Sequence, residues 1–287
     1  MVSIIMAVYN QIGYTRQCLQ SLVESTNSED YEIILVDNGS TDGSKDIFSE
    51  FPGIGYKTVV VNKENIGATR AWNQGCRAGR GEYLFVINND IVFPPDKDWL
   101  PKMTKFLDAH SEVGVASPQL CGNGYFDDDP ICLPQMNPTE FKEKWGGLVA
   151  DTFRWGMHGC FMMMKKETFK YIGEFDEWYS PGGCEDADYL RRCTLAGLVC
   201  VTYQNVLFYH FGAVTQSITG HGNHEMGHAW HKYRQKWGTG PEQDELWALY
   251  NHIQNERTSL NNTRRSLGLK IWVPDGTICR KFKGIKE

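Results

Sequence analysis

Residues 83–90, Tyr-Leu-Phe-Val-Ile-Asn-Asn-Asp, are an apolar run that stops at two amides and an acid, Asp90. An earlier run, 33–36, stops in the same way at Asp37. Short apolar runs bounded by turn residues read as buried parallel strands, and open α/β sheets bind ligands beyond the carboxyl ends of their strands. The two acids are therefore expected on one rim of one sheet. Asp90 is the more telling, because a carboxylate flanked by amide oxygens at a strand end can hold a hard divalent cation against a diphosphate.

Outward from these runs, strands and helices alternate. Residues 1–9 and 57–62 read as further strands, and 11–25, 44–51 and 65–79 as helices, from their apolar spacing and turn residues. Such alternation implies right-handed βαβ units. The expected fold class is α/β, a mostly parallel central sheet flanked by helices. After Pro94-Pro95 the pattern gives a helix over 99–110, a strand over 114–118 and a Gly-, Asp- and Pro-rich loop over 121–140. It continues with a strand over 161–165, helices over 167–172 and 185–196, and an extended segment over 198–209; the remainder reads as peripheral helix.

Length and composition narrow the class. The chain has 287 residues, enough for a substantial core, and nine cysteines, an odd count without a C-x-x-C pair. No apolar stretch reaches the roughly 20 residues that span a bilayer, and the chain opens in a strand-like run without a signal peptide. A reducing, cytoplasmic setting is expected, with any membrane contact peripheral. The net charge of −6 argues against general nucleic-acid affinity, yet residues 264–287 carry seven Lys or Arg against two acids. Such a tail suits phosphates, lipid headgroups or an acidic partner, or is simply a solvated terminus.

Five motifs now stand in order: Met6–Asn10 (MAVYN), 36–44 (VDNGSTDGS), 65–75 (NIGATRAWNQG), 87–90 (INND) and 184–192 (CEDADYLRR). Their order and spacing resemble the family 2 glycosyltransferases over roughly residues 1–215. The resemblance implies the GT-A fold, a Rossmann-like nucleotide-sugar-binding half (1–115) joined to an acceptor-binding and catalytic half (116–237), here followed by a basic, helical C-terminal extension (238–287). It also implies inverting, metal-dependent transfer of a sugar from a nucleotide donor to an acceptor hydroxyl. On this likeness Ala7, Tyr9 and Asn10 line the base and ribose pocket, and Asp37 accepts a hydrogen bond from the base. An acceptor there favours the N3–H of uracil or thymine, hence a UDP- or dTDP-sugar. Asn65, Gly67 and Arg70 match a turn and helix beside the donor, where a guanidinium can bridge diphosphate oxygens; a surface ion pair is the plainer role for Arg70.

Asn88-Asn89-Asp90 stands where the family carries Asp-x-Asp. The departure at Asn88 removes one charge and leaves Asp90 for the metal, Mn²⁺ or Mg²⁺; Asn88 and Asn89 remain expected at the donor. His210 resembles a histidine that completes the metal shell in some members. Glu185 and Asp186 match the family's acidic pair, with Asp186 expected as catalytic base; acids at a helix start also complement its dipole. Trp178 and Gly183 are expected at the acceptor, a glycan first of all, with a lipid-linked glycan or modified nucleic-acid base kept open by the basic tail.

Other signals carry less. His224-Glu225-Met226-Gly227-His228 fits the H-E-x-x-H pattern of zinc proteases, but Gly227 weakens the required helix and no third ligand is marked. His221 and His231 extend that cluster. Asp127–Asp129 lie in the polar loop and read as solvated charge; Trp145 and Trp155 are ordinary packing candidates, and Met157 and Met162–Met164 core filler. The rival functions are a non-catalytic nucleotide-sugar or glycan-binding module, prompted by Asn88, and, more remotely, a zinc metalloprotease.

Overall fold

A computed structural model describes residues 1–121, 153–155, 159–212 and 223–237. The expected loop beyond Cys121, Asp127–Asp129, Trp145, Met157, His221 and the basic extension lie outside the described residues, as do the side chains of Trp155 and His224.

One sheet organises the molecule. Strands β1 (Val2–Val8), β2 (Tyr31–Asp37), β3 (Tyr56–Val61) and β4 (Tyr83–Ile87) are all parallel, in the order β3-β2-β1-β4. Next to β4 the sheet becomes mixed: β8 (Phe161–Lys165) runs antiparallel to it, then come β6 (Val113–Cys121) and β9 (Val199–His210), mutually parallel. Two short strands, β5 (Ile91–Val92) and β7 (Phe153–Trp155), pair antiparallel with β9. The parallel expectation thus holds for the first half, and the second is mixed. The 115/116 division falls inside β6, so both halves share one sheet.

Both faces of the sheet are covered, which is why its central strands are apolar at successive positions rather than alternately. One face, with Ile4, Met6, Phe85, Phe161, Met163 and Phe208, packs against α1 (Ile12–Ser25) and α3 (Trp99–Ala109). In α3 the residues turned inward are Trp99, Leu100, Met103, Phe106 and Leu107, the stripe of a 3.6-residue period. The other face, with Ile5, Val36, Leu84, Val86, Met162 and Met164, packs against α2 (Ala68–Ala78), α4 (Lys166–Ile172) and α5 (Glu185–Leu195). Met162–Met164 are core, as expected. β3 departs from the buried pattern because it is an edge strand: Tyr56, Val59 and Val61 are exposed. The segment expected helical at 44–51 is a 3-10 helix, Ser44–Glu50.

A last helix, α6 (Asn223–Trp237), docks on α5 and on the short 3-10 helix Glu177–Tyr179. Its anchor is Asp188, fully buried, which accepts from Arg192 Nε at 2.8 Å and Trp237 Nε1 at 3.0 Å and pairs with Lys236 Nζ at 2.6 Å. Lys232 adds hydrogen bonds to the carbonyls of Trp178 and Ser180.

Candidate active site

The parallel register aligns the strand ends that the motifs predict. Val8 pairs with Asp37 and Met6 with Ile87, so residues 88–90 leave the sheet beside Ala7–Tyr9. Ala7, Tyr9 and Asn10 are half-buried, as residues on an open rim should be. Asp37 is 1% exposed; its Oδ2 accepts from the Ser40 N–H at 3.3 Å, while Oδ1 is buried without a hydrogen-bond partner. An orphaned carboxylate oxygen is costly unless a ligand donor completes it. Asn10 is engaged internally: its Oδ1 accepts from Thr41 N–H at 2.8 Å and its own N–H donates to Ser40 Oγ, which ties the loops after β1 and β2 together.

Asn65 opens the turn before α2. Its Oδ1 accepts from the Gly67 N–H at 2.9 Å and from Asn38 Nδ2 at 3.3 Å. Gly67 has φ +88° and lies hard against Ser180 and Pro181: a Cβ there would meet Ser180 Oγ at 2.3 Å and Pro181 Cα at 2.7 Å. Only glycine permits this approach. The contact is sealed by Ala68 N–H donating to Pro181 O at 2.9 Å and Ser180 Oγ to Ile66 O at 2.9 Å. Arg70 lies 3.6 Å from Glu177, with both side chains about half exposed, so in this state it forms the surface pair.

At the end of β4, the Asn88 N–H donates to the Cys160 carbonyl at 3.3 Å. Asn89 is buried and donates its amide to Thr15 Oγ1 at 3.0 Å, bracing α1. Asp90 and His210 are brought together by the main chain, since Ile91 pairs with His210 and the Phe211 N–H donates to Asp90 O at 3.0 Å. Asp90 Oδ1 stands 3.3 Å from His210 Nε2, an ion-pair distance without hydrogen-bond alignment. Without a cation, burial works against charge on His210, but Asp90 and Cys160 outweigh it and push the imidazole up to about 10, so a cation bound here would have to displace the proton from Nε2.

Two ligands arranged side by side on an octahedral ion of roughly 2.2 Å bond length lie about 3 Å apart. The 3.3 Å between Asp90 Oδ1 and the unpartnered His210 Nε2 fits that spacing. No group of three metal-capable side chains forms among the described residues, so the set is two protein ligands, the pattern of ions that keep water and phosphate oxygens.

Across from this pair, Glu185 and Asp186 open α5, after Gly183 (φ 101°) and Cys184 (φ 64°), whose left-handed backbone turns the chain into the helix. Glu185 is buried with Oε2 unpartnered; burial first, then the Asp186 charge, push its carboxyl up to about 8. Asp186 is partly exposed and accepts from the Ala187 N–H at 2.8 Å, and burial raises it too. Gly159 joins the two acidic centres: a Cβ on it would lie 2.2 Å from Asp186 Oδ2, while its neighbour Cys160 has Sγ 3.6 Å from His210 Nδ1. Gly159-Cys160 carries one sequence signal, its place directly before the apolar run 161–165. Trp178 is 44% exposed on the turn beneath α6. The main chain of the H-E-x-x-H segment is helical, and His228 is exposed.

The family model described as glycosyl transferase family 2 matches residues 3–173, more than half of the chain. The chain belongs to glycosyl transferase family 2. An uncharacterized glycosyltransferase of Rickettsia typhi is 30% identical over 179 residues, 62% of this chain and 54% of that protein. This family 2 chain therefore spans about half the length of that relative. Among solved structures, a mannosyltransferase from Pyrobaculum calidifontis in complex with GDP-Man and Mn²⁺ is similar at TM-score 0.55 and 23% identity, over 73% of this chain and 56% of that one. Residues 1–349 of S. aureus TarS in complex with UDP-GlcNAc give TM-score 0.56 and 18% identity, over 72% and 57%. Both likenesses establish the GT-A fold. Among the described residues no helix is long and apolar enough to cross a membrane.

Proposed function

We propose that this family 2 member is an inverting glycosyltransferase that takes a sugar from a uridine or thymidine diphosphate donor to an acceptor hydroxyl, a glycan first of all. The observation that carries it is the joint at Gly159-Cys160, which sets the rim of Asp90 and His210 against the carboxylate of Asp186.

In this reading Asp37 receives the base, since its free Oδ1 can accept from an imide N3–H. Fold neighbours hold guanosine and uridine nucleotides alike, so the base choice rests on Asp37. Asp90 and His210 would hold Mn²⁺ or Mg²⁺, which when bound supplies positive charge against the departing diphosphate. Asp186 removes the proton from the acceptor hydroxyl as its oxygen attacks the anomeric carbon on the face opposite the diphosphate. A single displacement of that kind inverts the centre. Burial raises both carboxyls, Glu185 further through the Asp186 charge beside it, so the two share their ionisation and the pair can hold one proton while it takes another from the acceptor. Trp178 and Gly183 lie on the turns leading to that pair and would meet the acceptor.

A thermal-shift screen of nucleotide diphosphates and their sugars, with and without Mn²⁺, tests the reading, because a ligand at 100 times its Kd adds about 2.7 kcal/mol of stability. Stabilisation by UDP or dTDP that disappears with EDTA is expected, followed by transfer or slow hydrolysis of the matching sugar nucleotide. Binding without any turnover across a donor panel would favour the binding-module alternative.

A further inference from the structure

The reading above, on which this inference rests, uses Cys160 only as a joint in the chain and gives its thiol no role. We propose that Cys160 is a positioning residue whose sulfur, 3.6 Å from His210 Nδ1, fixes the imidazole so that Nε2 faces Asp90.

An imidazole can be turned over about its Cβ–Cγ bond with little change of shape, and the turn exchanges each nitrogen for a carbon. Packing alone does not choose between the two orientations. The Phe161 ring meets His210 edge-on, with centroids 5.7 Å apart at 85°, which limits sideways movement but offers no polar preference. Among the described residues, Cys160 Sγ is the polar partner of Nδ1, while Asp90 lies on the Nε2 side. A histidine that ligates through Nε2 as a neutral ring carries its proton on Nδ1, and the partner of that N–H sets tautomer and orientation. In that tautomer the acceptor here would be the thiol sulfur.

Cys160 is itself well anchored. Its carbonyl accepts from the Asn88 N–H at 3.3 Å, which ties it to the segment ending in Asp90. Its chain neighbour Gly159 is pressed against Asp186. The main chain that carries the sulfur is thus held against both acidic centres.

Mn²⁺ binding to the full chain, read as loss of the free-ion EPR signal with and without UDP, tests the assignment without any need for turnover. In Cys160→Ala the apparent Kd for Mn²⁺ should rise about 10- to 100-fold, the usual cost of removing the group behind a metal-bound histidine. Cys160→Val, which keeps bulk and loses the acceptor, should match it and carries the test if truncation to Ala unsettles the fold. Cys160→Ser restores an acceptor for the Nδ1–H and should bring affinity back to within about threefold of the parent. Parent-like affinity in the Ala or Val variants overturns the inference and leaves the metal reading intact, as does a Ser variant no better than Ala. If the parent chain takes up no Mn²⁺, or if Asp90→Ala binds it equally well, the metal reading falls and this inference falls with it.

Discussion

Gly159→Ala is the sharpest perturbation the structure offers, because it adds a single methyl group and removes no functional atom. That methyl would sit 2.2 Å from Asp186 Oδ2 and 2.7 Å from both Cβ and Cγ of the same residue, where ordinary contact begins at 3.4 Å. The carboxylate oxygen can rotate aside, but Cβ is fixed to the backbone of α5. Either the start of the helix or the 159–160 turn must therefore yield by about 0.7 Å at Cβ, and the carboxylate by more than 1 Å. A misplacement of about 1 Å costs on the order of 100-fold in rate when a catalytic group must stand in a near-attack position, equivalent to roughly 2.7 kcal/mol of barrier. Overpacking also lowers stability, by about 1–3 kcal/mol. Initial-rate kinetics on the donor found in the thermal-shift screen, together with UDP affinity by calorimetry, would separate the effects. A kcat lowered about 100-fold with UDP affinity nearly unchanged is expected. Transfer at the parent rate would refute both the contact and the placing of Asp186 at the reacting centre.

Three further outcomes follow from the same geometry. Asp186→Asn should keep nucleotide affinity and lower transfer by about 100-fold or more; equal loss of both would move the base elsewhere. Asp37→Ala should relax the choice of base, read as a smaller ratio of UDP to CDP affinity, and an unchanged ratio would count against Asp37. Glu185 links stability to pH: its carboxyl titrates at an ordinary 4.5 in the unfolded chain and is pushed to about 8 by burial and by Asp186 in the native one. The folded state then holds the proton more tightly, so the contribution of Glu185 to stability is fullest below pH 4.5 and declines as pH rises towards 8. Glu185→Gln should accordingly gain Tm over the parent at pH 8 and gain least near pH 4.5; a pH-independent difference would contradict the raised carboxyl.

Residues whose environment is set within a few positions were legible in the sequence. The runs ending at Asp37 and Asp90 gave the parallel rim, and the helix read over 99–110 is α3, Trp99–Ala109. What escaped depends on pairing across long stretches of chain. The antiparallel placement of β8 beside β4 joins segments about eighty residues apart, and the two-residue strand β5 exists only because β9 runs alongside it. No local pattern encodes either. Asparagine partners were a second gap: the side chain both donates and accepts, so the sequence placed Asn10 and Asn89 at the donor without showing which neighbouring groups they also meet. The structure engages them with Thr41 and Thr15. Gly159 was invisible for a similar reason, because the need for a missing side chain appears only once the opposing carboxylate is in place.

The buried carboxylate of Asp188 sets a lower limit on how much chain this activity requires. The sequence resemblance runs out near residue 215, yet Lys236 and Trp237 supply two of the groups that hold Asp188, two residues from Asp186 on the same helix. A protein shortened to its recognisable signature would retain Arg192 but strand part of that charge in the interior, where losing a partner costs about 3–5 kcal/mol. A portion that keeps Asp188 fully partnered therefore reaches at least to Trp237, past residue 173, where the family model's match ends.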